Sequence, residues 1–288
     1  MYDLLIGPFV EFEFMRRALV GAVALSLGGA PVGVFLMLRR MSLMGDAMAH
    51  AILPGAAAGY LLFGLALVPM TLGGIAAGFA VALTAGLVAR FTALKEDASL
   101  AAFYLMSLAL GVTIVSLRGS NVDLFRVLFG SVLALDDPTL ILVALITTVT
   151  LFALALLWRP LVLDCVDPGF LRSVSRSGAP AHLVFLALVV LNLVAGFHAL
   201  GTLLAVGLMM LPAIAARFWA RDVTSLVAMA VGFGIVAGYA GLTLSYNMSL
   251  PSGPSIVLMA GVIYLVSLVF GPRGGLVPTY WPARHRAA

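Results

Sequence analysis

An aspartate and a histidine four residues apart, Asp46 and His50, stand inside the apolar run "MSLMGDAMAHAILPGAAAG" (Met41–Gly59). In a helix that spacing puts both side chains on one face, about one turn apart. Carboxylate oxygen and imidazole nitrogen are both ordinary ligands of divalent transition ions, zinc and manganese among them. Pro54 follows His50 by four, so the carbonyl of His50 lacks the amide that would bond to it in an unbroken helix. The surrounding residues are small, and Gly55 with Gly59 forms a G-x-x-x-G, which lets helices approach closely. An Asp–His hydrogen bond that only fixes packing is the other reading. Two ligands from one helix make an incomplete site. The rest comes from other helices or from a second copy presenting its own Asp46 and His50.

The elements that must position this pair follow from composition. The chain has 288 residues, 63% hydrophobic and 10% charged, with a mean hydropathy of +1.16. Average soluble proteins carry about 25% charged residues, so this is read as an integral membrane protein. Lipid tolerates helices or closed barrels, and the apolar runs are continuous rather than alternating, so the expected fold is all-α. An aspartate at a helix centre in lipid costs on the order of 3 kcal/mol by insertion scales. Asp46 is the one carboxylate well inside an expected span; the other eleven acids fall in loops or near span ends. A single cysteine, Cys165, excludes an intramolecular disulfide and a cysteine-built metal site. No basic stretch with a cleavage site opens the chain, so no removable signal peptide is read. The net charge of +4 is assigned to basic inner loops and not to a nucleic-acid partner.

Nine spans are expected, in a polytopic bundle of about 8–9 transmembrane helices: Phe14–Leu38, Ser42–Phe63, Met70–Ala89, Ala98–Leu117, Leu140–Trp158, Ala181–Phe197, Gly201–Ala216, Val223–Thr243 and Ser255–Phe270. Asn121–Leu135 is too short to cross and reads as a re-entrant or surface helix. Residues 1–288 form one membrane domain. With the N-terminus outside, only Arg16, Arg17, Arg118 and Arg126 fall on the outer side, and the other twelve of the sixteen basic residues fall inside.

The inner loop Arg159–Pro180, "RPLVLDCVDPGFLRSVSRSGAP", is the longest polar interruption. It could begin a short helix with Asp167 as N-cap and Pro168 at the first position, closing at Gly178. A solvated connector and a docking surface for another subunit are both open readings. His198, near the outer end of a span, is a membrane-interface histidine or a ligand on the access route. His182 and His285 carry little weight, Met209 and Met210 read as packing residues, and Asp123 either recruits cations or is a solvated acid. The lone lysine, Lys95, follows no glycine-rich loop, so the chain has no Walker A site for ATP. Energy for active transport then comes from an ion gradient or from a separate ATPase; sparse intramembrane charge favours the latter.

Three stretches resemble the permease subunits of bacterial ABC importers for zinc and manganese, the ABC-3 family. "LRRMSLMGDAMAHAILPG" (Leu38–Gly55) is similar to the family hallmark, a basic pair before GDA with a histidine four residues after the aspartate. "GTLLAVGLMMLPAIAA" (Gly201–Ala216), with Pro212, resembles a second stretch. "GLTLSYNMSLPSGPSIVL" (Gly241–Leu258), with Pro251 and Gly253, resembles a third. The likeness runs from about Arg16 to Phe270. It departs at Ser249, where the family often has an acid.

The resemblance implies a type II permease fold shared with vitamin B12 and siderophore importers, in the bacterial cytoplasmic (inner) membrane and surrounded by lipid. It implies pairing with a second permease copy and a periplasmic or surface-anchored metal-binding protein. A separate ABC ATPase would dock over Asp164–Gly178, with Asp164, Asp167, Phe170, Arg172 and Gly178 as coupling residues. Asp46 and His50 carry over as the metal-handling pair, and Pro54, Gly55, Gly59, Pro212, Pro251 and Gly253 are structural or gating candidates. No cofactor is held permanently; Zn2+ or Mn2+ is the transported substrate, and imidazole leans the choice to zinc. The competing class is a gradient-driven carrier with Asp46 and His50 as a proton relay. An intramembrane hydrolase lacks H-E-x-x-H and G-x-S-x-G.

Overall fold

The computed structural model describes residues 6–64, 66–94, 96–117, 135–167 and 178–280, and every regular element among them is helical. In chain order these are α1 (Gly7–Glu11), α2 (Glu13–Leu38), α3 (Met44–Ala51), α4 (Leu53–Phe63), α5 (Leu67–Phe91), α6 (Glu96–Leu117), α7 (Asp137–Leu156), α8 (Trp158–Val166), α9 (Gly178–Leu200), α10 (Thr202–Ala216), α11 (Val223–Met248), α12 (Ser252–Phe270) and α13 (Leu276–Tyr280). Six of them, α2, α5, α7, α9, α11 and α12, are long and apolar enough to cross a bilayer.

α2 and α9 form the interior, with 72% of their apolar windows buried, against 33% or less for the other four. α2 packs against α7, α9, α10 and α11, and α10 also lies on α11 and α12. The second group, α3 to α6, closes on α9. Small residues make these crossings possible: a Cβ on Gly33 of α2 would run into the Met209 carbonyl of α10, and one on Gly241 of α11 into Ile256 of α12. The outward faces carry large apolar side chains, Leu72 and Leu83 on α5 and Phe152 on α7 among them, which suits contact with lipid.

The helix ends follow local chemistry. Asp136 caps α7 by accepting from the Thr139 amide at 3.1 Å. Asp222 and Ser225 form a capping box at the start of α11. α2 ends in a Schellman pattern, the Met41 amide donating to Leu36 and the Arg40 amide to Met37, with Arg40 at φ 60°.

Two sequence expectations are corrected. Ser42–Phe63 is not one helix: Pro54 has no amide to continue the ladder, so the chain stops at Ile52 and restarts as α4, with Pro54 in its first turn. Gly201, at φ 85°, turns the chain between α9 and α10 and brings Gly196 against Ala205; α10 keeps the expected bounds of Gly201–Ala216 to within one residue. The polar loop expected from Arg159 opens instead as α8. Leu157, Trp158, Leu161, Val162 and Cys165 recur at helical spacing and pack on the core. Asp167 is the C-cap of α8 and Gly178 the first residue of α9; the short helix expected between them lies outside the described residues. Phe170, Arg172 and the Asn121–Leu135 segment before Leu135 lie outside the described residues.

Candidate metal-handling site

α3 carries the pair on one face. Nε2 of His50 lies 3.8 Å from Oδ1 of Asp46; the side chains are 26% and 66% exposed. With metal–ligand distances of about 2.0–2.2 Å, these two atoms would subtend an angle of about 130° at an ion held between them. The pair opens onto a recess of about 300 Å³, whose other walls are Thr202, Leu203, Val206 and Gly207 of α10 and Val257 of α12. Gly207 keeps that wall low, because a Cβ there would stand 2.8 Å from Val257.

Packing joins the site to the interior of the bundle. A Cβ on Gly45 would stand 2.7 Å from Cε of Met209, the residue whose backbone meets Gly33 of α2.

The helix break beside the pair is held from two sides. On α4, a Cβ at Gly55 would run into the Gly73 carbonyl of α5, and one at Gly59 would stand 2.6 Å from the Pro69 carbonyl oxygen. The G-x-x-x-G is thus a close backbone crossing. On the other side, Ser107 of α6 donates to the Ala51 carbonyl at 3.0 Å. The carbonyl that gains a side-chain donor is that of Ala51, one residue after the His50 carbonyl singled out from Pro54. Tyr104, also on α6, lays its ring along His50, with 6.3 Å between centroids and 27° between planes. Nδ1 of His50 is buried without a hydrogen-bond partner, leaving Nε2 as the nitrogen turned toward Asp46.

Other candidates are placed elsewhere. His198 does not line the recess; its Nε2 is buried without a hydrogen-bond partner, and its ring stands against Phe197. Among the described residues no group of three or more His, Cys, Asp and Glu gathers to hold a metal, so Asp46 and His50 stand as a pair within this chain. Pro212 is buried within α10, Pro251 is the N-cap of α12 and Gly253 is buried in its first turn. Ser249 closes α11 in a left-handed conformation, φ 54°. Asp164 turns inward: its Oδ2 lies 2.7 Å from Nη2 of Arg39, which also approaches Nδ1 of His182 at 3.1 Å and stacks 4.5 Å from the Phe185 ring centroid. Burial raises the pKa of the neighbouring Cys165 thiol, against the pull of Arg39. From sequence, Arg39 reads only as part of the basic pair, His182 carries little weight, and Tyr104 and Ser107 are not singled out; residues joined only by tertiary packing leave no spacing signal.

Known proteins share both the sequence and the fold. The chain is 31% identical over 268 residues to the manganese import system permease protein ScaB of Streptococcus parasanguinis, covering 93% of this chain and 94% of that one. It is also 31% identical over 277 residues to a probable iron transport system membrane protein of Haemophilus influenzae, covering 96% of each. The solved structure of PsaBC from Streptococcus pneumoniae in complex with Fab contains a chain that matches with a TM-score of 0.86 at 28% identity, covering 97% of this chain and all of that one. The profile of the ABC 3 transport family matches residues 11–271, from before α2 to the end of α12, and the chain belongs to that family.

Proposed function

We propose that this chain is the permease subunit of an ATP-binding-cassette importer that carries a divalent transition metal ion past Asp46 and His50. The observation that carries the reading is the Asp46 carboxylate, two-thirds exposed beside His50 on a recess that α10 and α12 wall off in an otherwise apolar bundle. That face is read as lining a wet passage, completed by a second copy of the chain across a two-fold axis. Two ligands with an open remainder suit transit, because an ion bound by a full coordination shell would be slow to leave.

Manganese is the proposed cargo ahead of zinc. The imidazole favours zinc, whereas the carboxylate and the waters that would fill the remaining positions favour manganese. The manganese import and transport systems among its relatives support the latter. A separate ATPase supplies energy and docks where α8 leads into residues 168–177. A metal-binding protein delivers the ion to the outer face. In this reading the broken α3–α4 pair, α6 and α10 complete nine crossings, with the N-terminus outside.

The test is uptake of radioactive manganese by the chain assembled with its ATPase and binding protein in proteoliposomes. Asp46→Asn and His50→Ala should each abolish uptake while the complex still assembles and hydrolyses ATP. Unimpaired uptake in both variants would reject the assignment. Uptake by the permease alone, driven by a pH gradient without ATP, would replace the importer with a carrier.

A further inference from the structure

We infer that one face of α6, carrying Tyr104, Ser107 and Gly111, is the positioning surface that holds the His50 imidazole turned toward the ion. This rests on the reading of Asp46 and His50 as the metal pair. The three residues are spaced i, i+3 and i+7, so they share one side of the helix. Each meets a successive part of the interrupted helix opposite: Tyr104 the His50 ring, Ser107 the Ala51 carbonyl, and Gly111 the Leu53–Pro54 junction. At Gly111 an added Cβ would stand 3.1 Å from the Pro54 nitrogen, so a side chain there would have to push the break away by a few tenths of an ångström.

The physical need for such a surface comes from the break itself. The last carbonyls of α3 have no following turn to bond with, and a helix end left so frays unless another donor takes over. Ser107, 7% exposed, supplies that donor to Ala51, the residue directly after His50. Metal-binding histidines are ordinarily oriented by a hydrogen bond to the second ring nitrogen. His50 has none, since its Nδ1 is buried without a partner. Rotation of the imidazole about χ2 is therefore limited by the ring beside it, that of Tyr104. Tyr104 does not line the recess and so acts through His50, as a positioning residue rather than a ligand.

The test is direct binding of Mn2+ to the assembled, nucleotide-free transporter without its binding protein, followed by loss of the free-ion EPR signal. Tyr104→Leu and Ser107→Ala should each weaken binding roughly tenfold, the size of the loss when an outer-shell partner is removed. Tyr104→Phe, which keeps the ring, and Ser107→Thr, which keeps the hydroxyl, should bind as the unaltered chain does. Combined with His50→Ala, Tyr104→Leu should add nothing further, because its whole effect passes through that imidazole. If Tyr104→Leu does not assemble, Ser107→Ala with its threonine rescue carries the same test. Normal binding in the Tyr104→Leu and Ser107→Ala variants, with binding lost in His50→Ala, overturns the inference and leaves the metal pair standing. Additive losses from Tyr104→Leu and His50→Ala also overturn it. Normal binding in His50→Ala overturns the pair and the inference together.

Discussion

Replacing Asp164 with asparagine removes the charge that faces Arg39 where α2, α8 and α9 meet, and the structure sets the size of the effect. The Arg39 and Asp164 side chains are 6% and 20% exposed, and Nη2 lies 2.7 Å from Oδ2. Breaking a well-buried pair costs about 3–5 kcal/mol, because the surviving charge is left in a poor solvent. Two features reduce that here. The N–H bonds of Nη2 are not aligned on the carboxylate despite the short distance, and Nε has no hydrogen-bond partner, so the contact is a single charge pair and not the two-pronged fork. Arg39 also keeps the Phe185 ring and His182. A loss of about 2–3 kcal/mol follows, just below that range. At about 2–4 °C per kcal/mol, the melting temperature should fall by roughly 4–12 °C.

The chain carries its own probe for this measurement. Cys165, the only cysteine, sits one residue from Asp164. Burial raises the pKa of its thiol, so the reactive thiolate is scarce in the folded protein and a thiol-reactive dye reports the opening of α8. Thermal melts in detergent with such a dye should show the shift in Asp164→Asn. Replacing both partners, Arg39→Met with Asp164→Leu, should recover at least half of the loss, since two apolar side chains leave no stranded charge. An Asp164→Asn variant that melts within about 1 °C of the parent, or a double variant as unstable as the single one, would refute the reasoning.

Gly55→Val should destabilise the bundle by about 1–3 kcal/mol or more, because its Cβ would enter the Gly73 carbonyl and neither backbone can yield; melting temperature and the monodisperse yield check it. Asp222, whose carboxyl is held below the usual carboxylate range by the Ser225 amide and then by the Ser225 hydroxyl, has the acid-side sign. Its cap is fully present above the unfolded-state pKa and lost as pH falls through the depressed folded value, so hydrogen exchange in the first turn of α11 should speed up only at acidic pH, and Asp222→Ala should remove that dependence.

The pair at the centre of the site was legible because it violates its surroundings: an acid and an imidazole in a run of Ala, Gly and Met have a cost that demands a task. Pro54 likewise announced a disturbance, although not that the helix would stop completely. α8 was missed for the opposite reason. Arg159 and Asp164 made the segment look like a loop, while the apolar period through Leu157, Leu161 and Cys165 was the stronger signal. Arg39 and His182 are 143 residues apart, and only the packing of α2 against α9 joins them.

The close packing and the exposed acid have one cause. α3 is pressed onto α10 where Gly45 meets Met209, and Met209 in turn fills the hollow left by Gly29 and Gly33 of α2. With Gly45 sealed against that side, the next side chain along, Asp46, is carried round the helix and emerges toward Thr202 and Val206. A purely structural helix in this position would gain by carrying an apolar residue there, since a carboxylate in an apolar bundle carries a cost. An aspartate with an imidazole one turn on against the same recess supports the proposed face that meets water and a cation. The glycines therefore serve the chemistry as well as the packing, because they bring α3 close enough to α10 for the recess to have a polar wall.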